Sequence, residues 1–252
     1  MTIAPASSST NLNDVGYVDQ SAIATLPAMV SISRQLAAYQ QQLNGRYAAA
    51  MRSAHGVAER QRANQQLQSE FVAEQRSLEG PALERVQLAI ASVASTQGLS
   101  VVVDKRIVIY GGVDITQQVV RLLQSSQQIL PLGTQPPPSE IGYVDQAALA
   151  NSPQVKAASA QLATYAEKER RYYGLQFQQA GSNAQKQQQI AQAYNKAMSD
   201  EQDQLLKPVV DHAQAVTAQV AQHKGLLLVV DHADILYGGT DITPDVQDAL
   251  NK

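Results

Sequence analysis

The 252-residue sequence has no cysteine, no tryptophan and only two phenylalanines, and aromatic residues make up 5% of it. Without cysteine, disulfides and thiolate metal centres are excluded, and the redox compartment stays open. The shortage of large side chains argues against one thick globular core. Alanine and glutamine crowd long stretches instead, which suits elongated helical packing. No run approaches about eighteen consecutive apolar residues, so no stretch reads as a membrane-spanning helix. The net charge of −3 gives no overall attraction to nucleic acid or to anionic membrane. Residues 1–13 lack a basic n-region and an apolar h-region, and they read as a flexible leader from which any signal peptide has been removed.

What is present is a repeat. "GYVDQ" occurs at Gly16–Gln20 and again at Gly142–Gln146. The same offset aligns Pro27 with Pro153, "QLAAY" with "QLATY", and Tyr47 with Tyr173. After a one-residue slip, Pro81 aligns with Pro208, Gly98 with Gly225, Asp104 with Asp231, and "IYGGVDIT" with "LYGGTDIT". The chain is therefore a tandem duplication. Residues 125–140, with three consecutive prolines, read as a semi-rigid linker. The expected organisation is leader 1–13, unit 1 over 14–124, linker 125–140 and unit 2 over 141–252.

Each copy begins with a short strand, Val15–Asp19 or Ile141–Asp145. Pro27 and Pro153 then mark helix starts, because proline's missing N–H is unpaired in the first turn in any case. Met29, Ile32, Leu36, Tyr39, Leu43, Tyr47, Ala50 and Ala54 recur at spacings of three and four, one stripe on a helix. A break follows near His55 and Gly56 in copy one and over Ala180–Asn183 in copy two. The stripe then resumes at Leu67, Phe71 and Leu78, and at Ile190, Tyr194, Met198, Leu205 and Val209. This predicts a long helical hairpin with a narrow apolar seam, the arm spanning about residues 28–97 and 154–224, with an outgoing helix roughly 40 Å long. Next, "GLSVVVDKRIVIYGG" and "GLLLVVDHADILYGG" each give an apolar run, a polar turn and a second apolar run, which predicts a β-hairpin. Thr116 and Thr243 are placed to cap a closing helix. Tyr17, Tyr110, Tyr143 and Tyr237 read as packing within the β body.

Catalytic patterns are scarce. His232, between Asp231 and Asp234, is a metal corner on paper, but copy one has Lys105 at the same place, so the turn is read as structural. Asp211 and His212 are neighbours on a helix and point about 100° apart. No phosphate loop, nucleophile elbow or H-E-x-x-H motif occurs. Neither an enzyme, nor a cofactor, nor a metal site is expected.

A G-Y-V-D strand, a long helical hairpin, a G-x-x-x-V-V-D strand, an (I/L)-Y-G-G-x-D-I-T turn and a closing helix together resemble the Skp (OmpH) family of periplasmic chaperones. The resemblance runs over Val15 to about Gln124 and over Ile141 to Leu250, and is specific at the β base. It implies an α+β, mostly α fold: two tandem units, each a small antiparallel β body carrying a long helical-hairpin arm. It also implies an ATP-independent holdase that encloses unfolded outer-membrane proteins between its arms in the periplasm. The family assembles as trimers, so a homo-oligomer of three chains is expected, with no nucleic-acid partner and at most peripheral membrane contact. Residues 1–125 carry ten Lys and Arg against nine Asp and Glu, and residues 126–252 carry nine against thirteen, so the family's basic character is not carried over. Arg46, Arg52, Arg60, Arg62, Lys168, Arg170, Arg171 and Lys186 lie around the expected arm tips. They are either a solvated helix surface or a weak electrostatic lure for clients. The competing reading of the chain is a structural coiled-coil spacer or adaptor of the envelope; a cytosolic prefoldin-like holdase is a further alternative.

Overall fold

A computed structural model describes residues 14–53, 56–131, 133 and 135–251. The leader expected over 1–13 lies outside the described residues. The chain divides into two compact units, Met1–Ser139 with Asp234–Gly239, and Glu140–Ala233 with Thr240–Lys252.

Unit 1 opens with β1 (Val15–Val18) and a short helix, α1 (Gln20–Ala24), whose N-cap is Asp19. The arm is α2 (Pro27–Ser53) and α3 (Val57–Gln97). The chain then forms β2 (Val101–Asp104), a 3-10 turn over Lys105–Ile107, β3 (Val113–Asp114) and α4 (Thr116–Gln124). The second copy of the sequence gives β4 (Ile141–Val144), α5 (Gln146–Ala150), α6 (Pro153–Gln179), α7 (Ala184–His223), β5 (Leu228–Asp231), a 3-10 turn, β6 (Ile235–Gly238), which belongs to unit 1, β7 (Thr240–Asp241) and α8 (Thr243–Leu250). Pro27 and Pro153 are the first residues of their helices, as expected. Pro81 and Pro208 lie inside α3 and α7, where each removes one backbone hydrogen bond without ending the helix.

The α+β, mostly α class with small sheets and long helical hairpins holds. Strand direction within each body does not follow the antiparallel expectation. β1 runs parallel to β2, from Val15 beside Val101 to Val18 beside Asp104, and parallel to β3. β4 is likewise parallel to β5 and β7. Parallel neighbours need a long crossover, and the whole arm serves as that crossover between β1 and β2.

The predicted hairpins are also absent. In copy one, the run after β2 enters a 3-10 turn in which Asp104 accepts from the Arg106 N–H at 2.8 Å, and Val108–Tyr110 then forms no strand. In copy two the corresponding run becomes β6, which pairs antiparallel with β2 inside unit 1, giving the order β3-β1-β2-β6. The sheet of unit 2 is β5-β4-β7.

The repeated glycine of the opening phrase has a packing cause. A Cβ on Gly16 would sit 2.5 Å from Leu99 Cδ1, and one on Gly142 would sit 2.5 Å from Leu226 Cδ1. Both units also share one polar clasp. Thr116 Oγ1 accepts from the Asp19 N–H at 3.0 Å, and Thr243 Oγ1 accepts from the Asp145 N–H at 2.9 Å. The two threonines therefore do not cap their helices. Asp114 and Asp241 instead accept from the threonine N–H groups, and the threonine hydroxyls tie each closing helix to the residue that follows the first strand.

The core of unit 1 is formed by Val18, Ile90, Ala94, Leu99, Val102, Ile115 and Val119 under the sheet. Leu236 and Tyr237 of β6 pack against it. The core of unit 2 is smaller, with Val144, Val216, Ile242, Val246 and Leu250 buried.

Candidate functional site

The arms present the longest helical surfaces among the described residues. Each outgoing helix has 27 residues, about 40 Å at 1.5 Å per residue. Their seams are thin: in α2 only Leu43 is buried, while Met29, Ile32, Leu36, Tyr39 and Ala50 are half-buried and Tyr47 is exposed. Ala54 and His55 lie outside the described residues. In unit 2 the break falls where expected, with Gly181 at φ 55 and Asn183 capping α7 by accepting from the Lys186 N–H. Tyr173 meets Tyr194 edge-on at 5.7 Å between ring centroids, and Tyr172 meets Tyr173 at 5.1 Å.

A seam this narrow leaves apolar groups in solvent. Tyr172, Leu175 and Phe177 of α6 are 56%, 61% and 44% exposed, and Val57, Val72 and Leu83 of α3 are exposed as well. Tyr172 and Leu175 fall beside the seam residue Tyr173 rather than on its three-and-four spacing, and Phe177, four residues after Tyr173, lies at the seam's edge. Their signal in the sequence is an apolar residue on the face that otherwise carries Gln and Arg.

The eight cations singled out in the sequence are all exposed on the arm helices. They do not converge on one site. Arg46 forms a forked pair with Glu70 across the first hairpin, and Arg171 pairs with Glu167 one turn away at 2.8 Å. The Arg46 guanidinium, then Gln66, hold the Glu70 carboxyl below its ordinary value. A depressed carboxyl contributes stability above its unfolded pKa, about 4.3 for Glu, and loses it as pH falls through the folded value. Because the pair is exposed, the effect is local and small. Acidification below about pH 4 is expected to lower the amide protection factors, taken relative to the intrinsic exchange rate at each pH, where α2 meets α3, and Glu70→Gln is expected to remove that drop in protection.

His232 opens the 3-10 turn after β5. Its ring lies 5.0 Å from that of Tyr143, and Asp231 accepts from the neighbouring Ala233 N–H. Among the described residues no group of three His, Cys, Asp or Glu could hold a metal, and no helix is long and apolar enough to cross a membrane. Tyr17 and Tyr143 are half-buried in their sheets, and Tyr237 packs on the unit 1 core. Tyr110 does not share that role, being 92% exposed.

Two small sheets, each with a helical hairpin as the crossover between parallel neighbouring strands, define an armed α+β unit occurring twice in one chain. The family model described as outer membrane protein (OmpH-like) matches residues 54–123 and 163–250, one segment in each copy. The chain belongs to the OmpH-like family, in a tandem-duplicated form. No curated protein and no solved structure matches it.

Proposed function

We propose that the chain is an ATP-independent holdase that keeps unfolded outer-membrane proteins soluble in the periplasm, holding them between arms of a threefold assembly. The family suggests a chaperone role toward outer-membrane proteins and a periplasmic setting. The single observation that carries the reading to this chain is the set of solvent-exposed apolar side chains on helices otherwise covered by Gln and charged groups. Such a surface offers many weak, adaptable contacts rather than one shaped pocket, which is what low-specificity binding of unfolded chains requires. The exposed cations at the tips, Arg52, Arg60, Arg62, Lys168, Arg170 and Lys186 together with the paired Arg46 and Arg171, add a salt-screened attraction. Nothing in this scheme needs a nucleotide.

The test is dilution of a denatured β-barrel outer-membrane protein into buffer, with aggregation followed by light scattering. The chain in excess and without nucleotide is expected to suppress the signal. The triple variant Tyr172→Ser, Leu175→Ser, Phe177→Ser is expected to weaken suppression several-fold with no change in helix content, since all three side chains are exposed. Equal aggregation with and without the protein, from a sample that still forms a discrete oligomer, overturns the holdase reading in favour of an envelope spacer.

A further inference from the structure

The two copies differ in how the root of the arm is packed. In unit 1 Leu26 and Ile90 are buried in the core, Met29 and Val86 pack against it, and Ile129 joins them from the segment after α4. The Arg85 guanidinium holds that segment, donating to the Ser125 carbonyl at 2.8 Å and to the Gln127 carbonyl at 3.3 Å. In unit 2 the aligned residues are smaller: Ser152 for Leu26, Val155 for Met29, Ala213 for Val86 and Thr217 for Ile90, with His212 in place of Arg85. Some exchanges run the other way, Gln154 for Ala28 among them. These residues of unit 2 wall a groove of about 820 Å³ at the root of its arm. That volume falls within the roughly 300–1,000 Å³ of small-molecule sites.

The aliphatic part of the wall suits an acyl chain, but the charges do not suit an ionic head. No Lys or Arg lines the groove, and its ionisable groups are His212 and Asp231. The Asp231 carboxylate accepts from the Ala233 N–H at 2.9 Å. An anionic head would therefore enter without a fixed counter-ion and beside a carboxylate, which makes its desolvation costly. The other polar groups are neutral and mostly committed. The Thr217 hydroxyl donates to the Ala213 carbonyl at 2.8 Å, and Ser152 Oγ accepts from the Val155 N–H at 3.5 Å. Gln154 differs from them. Its Nε2 donates to the Leu250 carbonyl at 2.6 Å, while its Oε1 is buried with no hydrogen-bond partner among the described residues. Buried acceptors are nearly always paired, so this oxygen marks where a ligand's donor belongs.

We propose that the groove binds a single-chain amphiphile with an uncharged, hydroxyl-bearing head, of the monoacylglycerol kind. The acyl chain lies along Val155, Val209, Ala213 and Leu226, and a head hydroxyl donates to Gln154 Oε1. The site belongs to unit 2 alone, because Leu26 and Ile90 occupy the matching space in unit 1. It lies apart from the exposed arm residues assigned to clients, so it does not depend on the holdase reading.

Equilibrium dialysis of the full chain against monolauroylglycerol, below its micelle-forming concentration, is expected to show one saturable site per chain. Laurate at neutral pH is expected to bind about tenfold more weakly. Each methylene removed from the acyl chain is expected to weaken binding about fourfold. Ser152→Leu with Thr217→Ile, which restores the residues that unit 1 packs, is expected to lower affinity about tenfold by filling the groove. The milder Ala213→Val is expected to act in the same direction. The unaltered chain is expected to prefer monolauroylglycerol to methyl laurate, which has no donor, and Gln154→Ala to erase that preference. The triple variant Tyr172→Ser, Leu175→Ser, Phe177→Ser is expected to bind as the unaltered chain does. In hydrogen exchange the ligand is expected to raise protection over residues 209–217 and over Leu228–Asp231, and to leave Val101–Asp104 unchanged. Uptake that does not saturate, laurate binding the tighter, or full affinity in both filled variants overturns the site. Binding lost in the triple arm variant assigns the ligand to the arm surface, which overturns the groove and leaves the holdase reading standing.

Discussion

Alanine at Ile115 is expected to lower the thermal transition of unit 1 by roughly 10 °C while leaving that of unit 2 in place, and alanine at Ile242 to do the reverse. Both side chains are fully buried at the foot of a closing helix. Each backbone N–H is bonded to the first strand, Ile115 to the Tyr17 carbonyl at 3.1 Å and Ile242 to the Tyr143 carbonyl at 3.0 Å. Removing three carbons from such a site costs about 2–5 kcal/mol, transfer and cavity together. For a unit of this size about 3 kcal/mol corresponds to roughly 10 °C. Unit 2 has the smaller buried cluster, so Ile242→Ala is expected to unfold it at the lower temperature of the two. Calorimetry with two resolved transitions reads both effects. A single transition that both variants lower equally would show that the units do not unfold separately.

The helices were legible in the sequence because their evidence is local. Pro27, Pro153 and the Ala180–Asn183 break each act within one turn of where they stand, and the seam from Met29 to Ala50 is a periodicity that one helix completes by itself. The first strand of each copy was legible for a similar reason, and the structure adds why its glycine recurs: Leu99 and Leu226 occupy the space a Cβ would need. Strand pairing was not legible, since a strand's neighbour is chosen by non-local contacts. "RIVIYGG" and "ADILYGG" are nearly interchangeable as local sequence, yet only the second becomes a strand, and its partner comes from the other copy's half of the chain. The apolar run, polar turn, apolar run pattern fits a hairpin and a crossing strand equally well. On the candidate surface, charge was easy to read and misleading about convergence: Arg46 and Arg171 are committed to carboxylates. Tyr172, Leu175 and Phe177 became visible only once the seam had been seen to leave them out.

Glycine 238 is where β6 is held to unit 1 most sensitively. A Cβ there would lie 2.1 Å from the Ser100 carbonyl oxygen, which is backbone and cannot swing aside, and the residue sits at φ 66, a region β-branched side chains avoid. Gly98 and Gly225 provide the internal control. Both have φ 70 and both end an arm helix, but neither has any atom within 4 Å of a hypothetical Cβ. Alanine at Gly225 is therefore expected to incur only the left-handed backbone penalty, about 1–2 kcal/mol. Gly238→Val combines that penalty with a backbone collision, so relief requires β6 to leave the edge of β2. The expected result is loss of amide-exchange protection on the β2 edge and exposure of Val101 and Val102, with the β5-β4-β7 sheet still protected. Retained protection of β2 in Gly238→Val would mean that β6 contributes little to the unit 1 sheet, and that burial of Val101 and Val102 depends on β1 and α3 alone.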